Sequence, residues 1–504
     1  MSMREWYKGR SILVTGGSGF MGKVLIEKLL RCCPGIVTVY FICRPKRGNN
    51  VQTRVSEMFK LPLFECLRRE NPDVFKKVVA VEGDITQDGL GIGIDAKNEI
   101  KKSVSIVFNF AASLKLEAGL KESVEHNTRG SQRVLEFAKE LPKLAVFLHL
   151  STAFCHCEEE VLEERLYQPP ADPQDILDAM KWMDADTADL ITPKLLGVHP
   201  NCYTFTKRLT EALMAKYGKQ MPIVVCRPAI VSPSLKDPIP GWVDNLNGPV
   251  GVFIAAGKGV LRTMLCGPNN TAEVIPVDVC INGILIATWK RGITKPNDVP
   301  VYNMTGSKKI TAQWGPLVEK GRSLLKEYPL DPGLWYPGGT IRTNPYTHAL
   351  ALFFFQIIPA YFIDFIMLIA QQKRFMVRVQ NRILLGLKLL QYFTMRNWHF
   401  EADNFMNLSN LLDEKEREIF FTSNVDVDLD TYLKNFILGS KIYCLKEPIE
   451  TMPRARKYMK MMYVLDVTCT CIIYFALAYY LAPLIFRLKD FVNRSLHYTP
   501  VSAN

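Results

Sequence analysis

The chain has 504 residues, more than one ordinary domain, so we expect two or three folding units. A formal net charge of +12 is compatible with nucleic acid, an anionic membrane surface or a polyanionic substrate. Because the first 340 residues contain no run of Lys and Arg with interleaved aromatic residues, nucleic acid is the weakest of these partners. The 13 cysteines show neither disulfide-framework nor zinc-ligand spacing, and the N-terminus lacks the apolar core of a signal peptide. This predicts free thiols in a reducing, cytosolic compartment and no bound metal.

The first predicted unit is a strand, a glycine turn and a helix. The β-branched apolar run 12–15 leads into Gly16, Gly19 and Gly22, and an amphipathic segment follows at 23–31. Glycine permits the tight turn, and the free N–H groups and the dipole at the helix start favour an anion such as a pyrophosphate. The pattern therefore favours a dinucleotide site over a glycine-rich turn that binds nothing. The residues expected to contact the cofactor here are Thr15, Gly16, Ser18, Gly19, Phe20 and Gly22.

A second strand is predicted at 37–43, and its end carries basic residues. Arg44-Pro-Lys-Arg47 stands where many dinucleotide-binding proteins have an acidic residue that bonds the ribose 2′-hydroxyl. A basic cluster instead pairs with a 2′-phosphate. Arg44 and Lys46 therefore favour NADPH over NADH, and the alternative is a solvated basic loop.

Two more strands are predicted at 76–83 and 104–112. Asp84 and Ile85 follow the first of them, where we expect cofactor contacts, with Asp84 facing the adenine. A helix cap is an equally good explanation of Asp84. The small residue Ala111 at the tip of the second strand leaves room for the cofactor to lie across it.

The next strand, 146–150, delivers Ser151 and Thr152 at its carboxyl end. Ligands of doubly wound sheets bind outside the carboxyl ends of the strands, so these hydroxyl groups lie where an active site is expected. A helix predicted at 118–141 precedes this strand and carries Asn127.

Tyr203 and Lys207 lie four residues apart, on one face of a predicted helix that runs to Tyr217. They follow an acidic, Pro-containing insertion at 155–200, to which we assign no chemistry. A sixth strand at 223–231 contains Arg227, a further expected cofactor contact. After it, 233–268 is rich in Gly and Pro and is predicted to be irregular structure that faces the substrate. A helix from about 274 and a late strand from Val301 complete the unit.

Tyr203, Lys207 and Thr152 together form a set that can reduce a carbonyl. The carbonyl oxygen becomes negative as hydride arrives and needs a proton donor, a role for Tyr203 if Lys207 stabilises its phenolate. Thr152, with Ser151 as the second choice, would donate a hydrogen bond to the same oxygen. Asn127 would orient Lys207 through a water molecule. The Tyr-x-x-x-Lys spacing is weak alone but strong behind a glycine turn and a strand-end Ser-Thr.

These stretches resemble the alcohol-forming fatty acyl-CoA reductases of eukaryotes, an extended short-chain dehydrogenase family. The resemblance covers nearly the whole chain and rests on motifs at 15–25, 44–46, 83–85, 151–154, 200–207, 227–231 and 240–249. Two motifs depart from the family: Gly-Ala-Thr-Gly is Gly-Gly-Ser-Gly at 16–19, and Ser-Thr-Ala-Tyr is Ser-Thr-Ala-Phe at 151–154. Neither change removes a group that the chemistry needs.

The elements and the resemblance together imply an α/β fold with a doubly wound parallel sheet of the Rossmann type over residues 1–340. The substrate-binding part is expected at about 233–340, and a mostly helical module of the male-sterility type at 341–460. The resemblance implies reduction of a long-chain fatty acyl-CoA to a primary alcohol by NADPH, through an aldehyde and with release of CoA. A membrane-bound sterol or hydroxysteroid dehydrogenase and a non-catalytic cofactor-sensing scaffold remain the alternatives.

The C-terminal part carries two apolar segments. The first, 349–370, is long enough to span a membrane, but Asp364 argues for a buried or interfacial helix. Residues 371–397 contain six basic residues and no acidic one, which predicts either an amphipathic helix on anionic lipid or a helix packed on the reductase.

The second segment, 467–486, has no charge in twenty residues and predicts a transmembrane helix at 465–487 with a short tail at 488–504. Basic residues flank it, with a slight excess on the N-terminal side, so the catalytic part is expected in the cytosol. This predicts a single-pass anchor in the endoplasmic reticulum or the peroxisome, and the final Val-Ser-Ala-Asn is not a peroxisomal address.

Overall fold

The computed structural model describes residues 1–45, 48, 50–294, 296–306, 312–331, 333–422 and 425–496. The strands in these ranges are β1 (Ser11–Thr15), β2 (Val39–Cys43), β3 (Val78–Glu82), β4 (Val104–Asn109), β5 (Val146–Leu150), β6 (Val161–Leu162), β7 (Ile223–Pro228), β8 (Ile230–Ser232), β9 (Thr263–Leu265), β10 (Thr271–Ala272), β11 (Val274–Pro276), β12 (Val301–Met304), β13 (Ala312–Gln313), β14 (Thr340–Arg342) and β15 (His399–Phe400).

The helices of the N-terminal two thirds are α1 (Met3–Tyr7), α2 (Phe20–Cys32), α3 (Val51–Phe59), α4 (Glu65–Glu70), α5 (Ile94–Ser103), α6 (Leu120–Ser123), α7 (Gly130–Lys139), α8 (Pro173–Trp182), α9 (Ala185–Leu196), α10 (Cys202–Gly218), α11 (Pro249–Gly257), α12 (Val277–Ile293) and α13 (Trp314–Glu327). Those of the C-terminal third are α14 (Pro345–Leu352), α15 (Ile358–Ile369), α16 (Met376–Thr394), α17 (Asp403–Met406), α18 (Glu414–Ile419), α19 (Leu429–Gly439) and α20 (Met452–Leu496).

Seven of these strands form one parallel sheet in the order β12-β7-β5-β4-β1-β2-β3. All but β3 are buried at every residue, as expected for near-continuous apolar strands that are covered on both faces. Helices α2 and α12 pack on one face, and α5, α7 and α10 pack on the other. The predicted doubly wound α/β sheet is therefore confirmed.

Element boundaries agree best where the apolar pattern is continuous: β5 begins and ends at the predicted residues, and β1 begins one residue before the predicted run. The helix predicted at 118–141 is interrupted by a π-helical turn, Val124–Arg129, which contains Asn127. The prediction of irregular structure throughout 233–268 is wrong, because Pro249 follows Gly248 at a positive φ of 56° and begins α11.

The C-terminal helices pack against the reductase part and are connected to it by short strands and carboxylates. β6, from the insertion at 155–200, pairs with β15 in parallel. The Glu164 carboxylate accepts N–H bonds from Asn303, Asn404 and Phe405. Glu416 of α18 likewise accepts the backbone N–H groups of Met3 and Arg4, at 3.1 and 3.0 Å.

Two helical stretches of the described residues, Pro345–Ile369 and Ile449–Asp490, are long and apolar enough to cross a membrane by length and composition. The second contains the predicted segment 467–486. The C-terminal third is thus mostly helical, as predicted. The domain boundary near residue 340 stays a prediction.

The substitution Gly22→Ala tests the packing of α2 on the glycine turn. A Cβ at this position would overlap the Gly16 carbonyl oxygen, which is backbone and cannot swing away. We expect the free energy of unfolding to fall by about 1–3 kcal/mol, the usual cost of overpacking. Thermal unfolding followed by intrinsic fluorescence measures the change.

The matched control is Gly386→Ala in α16, where the added Cβ meets no described atom within 4 Å. Because Ala is the better helix former, this variant should keep or raise the unfolding temperature. Equal unfolding temperatures for the two variants would contradict the assignment of Gly22 to a close contact.

Candidate active site

The glycine loop after β1 lies directly against the end of β4. Gly16 has a φ of 72°, which favours glycine, and a Cβ there would lie 2.9 Å from the Ala111 nitrogen. The Thr15 hydroxyl donates to Asn109 Oδ1 at 2.9 Å and accepts N–H bonds from Phe110 and Ala111. Thr15 therefore joins the two strand ends, and its hydroxyl is already engaged by the protein.

The start of α2 presents an anion-binding surface. Gly19 is its N-cap and contributes no side-chain cap. Among the described residues, no acceptor is found for the N–H groups of Phe20, Met21 and Gly22. The Phe20 ring stacks on Trp242 with centroids 5.4 Å apart, while Gly19 is exposed. Open N–H groups at the positive end of a helix fit the pyrophosphate of a dinucleotide.

Basic side chains lie beyond the end of β2. Arg44 is 60% exposed and contacts Asp84 at 3.4 Å. Asp84 also accepts bonds from the Thr86 N–H and hydroxyl. Burial opposes ionisation of Asp84, but these bonds and the Arg44 charge hold its pKa below the usual value. Arg54 of α3, which sequence reasoning missed, donates to the Arg44 carbonyl.

Two other expected cofactor contacts differ in their surroundings. Ile85 packs closely on Gly130 at the start of α7, so its side chain is part of the apolar core on that face. Lys46 lies outside the described residues.

Thr152, Tyr203 and Lys207 meet at the carboxyl end of β5. Asn201 caps α10 by accepting the Thr204 N–H, and this places Tyr203 in the first turn of the helix. The Thr152 side chain lies close enough to Tyr203 to lower its pKa against the effect of burial. One turn later, the buried Lys207 donates from Nζ to the Leu150 carbonyl at 2.7 Å. The structure thus brings together the three residues that the sequence singled out for proton donation and oxyanion binding.

Ser151 and Asn127 have other partners. The Ser151 hydroxyl is buried and donates to Glu211 Oε1 at 2.5 Å, which leaves Thr152 as the available hydroxyl. Asn127 Oδ1 accepts the Ser113 N–H at 2.7 Å, and its Nδ2 donates to Thr206 Oγ1 at 3.0 Å. Asn127 therefore contacts the neighbour of Lys207 rather than Lys207 itself.

Arg227 lies under the site, fully buried, instead of at the glycine loop. Its Nε and one terminal nitrogen donate to the two carboxylate oxygens of Glu211 at 2.8 and 2.6 Å. Its other donors reach the carbonyl groups of Glu163 and Arg165 and the Asn303 side chain. Because protein acceptors engage the whole guanidinium group, the expected cofactor contact of Arg227 is not supported by the structure.

Glu211 is the centre of this buried cluster, and sequence reasoning missed it. Cys155, His156 and Glu211 bring donor atoms within 4.8 Å of one another, a spacing that a metal ion could use. Arg227, however, already supplies a positive charge to both carboxylate oxygens. Spacing in the sequence could have indicated Glu211, since it lies four residues after Lys207 and therefore on the same face of α10.

Burial shifts the pKa values of Tyr203 and Lys207. It raises the pKa of Tyr203, with a further rise from Cys155 and an opposing effect of the Thr152 side chain. Burial lowers the pKa of Lys207 to about 8, and Cys155 and Glu211 limit that fall. Tyr203 is therefore protonated at neutral pH, and Lys207 is a cation close to its titration point.

Comparison with known proteins assigns the chain to a family. Two family models, both described as male sterility protein, match the chain. The NAD-binding model matches residues 14–284, and the second model matches residues 355–447. Fatty acyl-CoA reductase 1 of Rattus norvegicus is 36% identical over 466 residues, which cover 91% of this chain and 89% of that protein. The chain belongs to the fatty acyl-CoA reductase family. Fatty acyl-CoA reductase 2 of Bos taurus is 35% identical over 461 residues, with coverage of 91% and 90%.

The family assignment makes this reductase an oxidoreductase that acts on fatty acyl groups with a nicotinamide cofactor. Its fold is shared with the terminal R domain of the myxalamid PKS-NRPS pathway. That structure has a TM-score of 0.56 and 16% identity, and the match covers 86% of this chain and 91% of that one. The predicted resemblance is confirmed.

The pKa of Lys207 predicts the pH dependence of turnover. In the role expected for Lys207, its ammonium form assists Tyr203, so activity should fall as pH rises through about 8. The measurement is kcat/KM for oxidation of the reduced cofactor with an acyl-CoA as a function of pH. In Lys207→Arg, whose side chain stays charged, any residual activity should lack this alkaline limb. A wild-type rate that is flat from about pH 7 to about pH 10 would contradict the assignment.

Proposed function

We propose that the protein reduces a long-chain fatty acyl-CoA to the primary alcohol with two equivalents of NADPH, through an aldehyde and with release of CoA. The observation that carries the proposal is the cluster of Thr152, Tyr203 and Lys207 at the carboxyl end of β5, on the same edge of the parallel sheet as the open N-terminus of α2. The donor set suits a carbonyl that gains negative charge, and the family supplies the acyl substrate.

Thr152, Tyr203 and Lys207 have different proposed roles at the carbonyl oxygen. Thr152 and Tyr203 would donate hydrogen bonds to this oxygen, and Tyr203 would transfer its proton as charge develops. Lys207 donates one N–H group to the Leu150 carbonyl and has two more N–H groups available. These would stabilise the phenolate of Tyr203 and bind a ribose hydroxyl. A bound nicotinamide supplies the hydride.

The first reduction forms a C–H bond at the thioester carbon, and collapse of the tetrahedral adduct breaks the C–S bond. The electron pair leaves with sulfur, which takes a proton and departs as the CoA thiol. The aldehyde that remains accepts a second hydride at carbon and a proton from Tyr203 at oxygen. Two hydrides and two protons thus convert the thioester into the alcohol and free CoA.

Arg44 supports the choice of NADPH. Its guanidinium is mostly exposed at the end of β2, and Arg54 approaches the same loop from α3. Guanidinium groups recognise phosphate through paired, charge-assisted hydrogen bonds. The proposed role of these residues is to bind the 2′-phosphate that distinguishes NADPH from NADH.

The helix α20 supports a single-pass membrane anchor. Its apolar part follows basic residues at 454–460 and precedes Arg487 and Lys489. The slight basic excess on the N-terminal side would keep the reductase in the cytosol, on the endoplasmic reticulum or the peroxisome. A lipid-bound anchor suits an enzyme whose product partitions into the bilayer.

Tyr203→Phe tests the proton donor. Membranes that contain the protein are given NADPH and a mixture of acyl-CoA chain lengths, and products are identified by gas chromatography. The variant should lose fatty alcohol by a factor of about 10² or more, the usual worth of a general acid. Tyr217→Phe, on the same helix but partly exposed and away from the strand ends, is the matched control and should keep full activity.

The other outcomes of this assay separate the alternatives. Aldehyde as the final product of the wild type would retain the site and reject the second reduction. No product from any acyl-CoA would refute the proposed reaction and favour a sterol or hydroxysteroid dehydrogenase, or a non-catalytic scaffold.

Arg44→Ala tests cofactor choice. Loss of a charge-assisted phosphate contact should raise KM for NADPH by about tenfold to a hundredfold and leave KM for NADH unchanged. Initial rates with each cofactor give the two values. The control is Arg69→Ala on α4, where an exposed Arg forms an ion pair with its neighbour Glu70. Equal changes for NADPH and NADH would argue against a 2′-phosphate contact.

A further inference from the structure

The helical stretch 345–369 is apolar overall, but the side that it buries against the protein is not. Its buried residues are Ala351, Gln356, Ala360 and Asp364, which are small or polar. Their spacing is five, four and four residues, and the π-helical turn Phe353–Ile357 supplies the extra residue that keeps them on one line. The protein-facing side of this helix is therefore its least apolar side.

Gln356, at the middle of the stretch, binds the reductase backbone. Its Oε1 accepts the N–H groups of Arg262 and Thr263 at 2.9 and 3.0 Å, and its Nε2 donates to Gln380. A helix that crossed a bilayer would carry β9 and the polar chain around it into the hydrocarbon, where lipid-exposed loops and sheet edges do not occur. The middle of the helix is thus tied to the polar body of the protein.

Asp364 joins the stretch to α16. Its carboxylate accepts the N–H groups of Phe375, Met376 and Val377 at 2.8–3.1 Å, which caps the start of α16. The two helical stretches form a hairpin, residues 345–394, whose acidic residue points inward.

The outward surface of the hairpin is apolar on one helix and basic on the other. Eight large side chains of 345–369 are each more than half exposed: Tyr346, Leu350, Phe354, Tyr361, Phe362, Phe365, Leu368 and Ile369. The turn and α16 expose positive charge without an acidic residue, at Lys373, Arg374, Arg378, Arg382 and Lys388. Apolar aromatic side chains next to positive charge are complementary to an anionic lipid surface.

The hairpin and α20 depart from the same point of the reductase. The Arg262 backbone binds Gln356 of the hairpin, and the Arg262 guanidinium pairs with Asp466 of α20 at 3.1 Å. The Trp335 indole also donates to Asp466, just before the uncharged segment 467–486 begins. One residue therefore contacts both apolar helices.

We propose that the hairpin 345–394 lies in the plane of the membrane, on the anionic leaflet that α20 enters. The aromatic face of 345–369 is immersed at the boundary between headgroups and acyl chains, α16 lies at the headgroups, and neither helix of the hairpin crosses the bilayer. The inference rests on the proposed anchoring by α20 for the choice of leaflet and is independent of the proposed reaction.

Cysteine accessibility in the full chain tests the proposal. In a background in which Cys66, Cys444, Cys469 and Cys471 are replaced by Ser, single cysteines are introduced as Thr343→Cys, Phe365→Cys, Gln372→Cys and Leu190→Cys. Each protein is reconstituted into sealed vesicles of phosphatidylcholine and phosphatidylserine. Vesicles that display an N-terminal tag outside are isolated and treated with a membrane-impermeant maleimide, before and after detergent.

We expect Thr343→Cys and Gln372→Cys, at the two ends of 345–369, to react in intact vesicles as fully as Leu190→Cys on the exposed surface of α9. Phe365→Cys should react several-fold less until detergent is added. Reaction of the two ends on opposite sides of the bilayer would show a spanning helix and overturn the proposal. Full reaction of Phe365→Cys in intact vesicles would also overturn it.

Protection of Phe365→Cys that persists in detergent would assign the face to a protein partner or a second copy, and this too would overturn the proposal. Alcohol formation is measured on the same samples. Because labelling does not require turnover, failure of the proposed reaction and failure of the membrane assignment give different results.

Discussion

The buried ion pair between Glu211 and Arg227 holds the catalytic end of the sheet together. Glu211 lies on α10 and Arg227 on β7, and the same carboxylate accepts the hydroxyl of Ser151 at the end of β5. Three elements thus meet at one charged group. Removal of one partner of such a pair costs about 3–5 kcal/mol, because the other charge is left buried and uncompensated. The positions of Thr152 and Tyr203 depend on this contact, although neither residue takes part in it.

The same carboxylate affects the chemistry through charge. A site that excludes water strengthens the hydrogen bonds that a developing oxyanion would receive. Exclusion of water also disfavours the charged ammonium form of Lys207. Glu211, one turn further along α10, opposes that loss and helps to keep Lys207 charged near neutral pH. Tyr203 stays protonated because its phenolate is disfavoured by burial. One buried acid therefore supports both the geometry and the protonation state of the site.

The sequence predicts the sheet and the proposed catalytic residues because both rest on local patterns. β5 is a continuous apolar run that is buried on both faces, and Tyr203 and Lys207 follow helical spacing. What could not be predicted depends on contacts between residues far apart in the chain. Ser151 and Thr152 are adjacent hydroxyl residues at a strand end, and only the position of Glu211 separates their roles. Arg227 finds its acceptors at Glu163, Arg165 and Asn303, which no local pattern connects to it.

The short segment Glu163–Arg165 contacts both the buried Arg227 and the C-terminal helices. Its outer carbonyl groups accept bonds from Arg227, on the catalytic side, while the Glu164 carboxylate holds Asn404 and Phe405 of the C-terminal helices. An insertion without catalytic residues of its own thus forms a mechanical link. Displacement of the C-terminal helices would strain the support of Glu211 directly. We therefore expect the reductase part and the C-terminal helices to unfold together, because a cut between them would remove contacts that hold the segment supporting the Glu211–Arg227 pair.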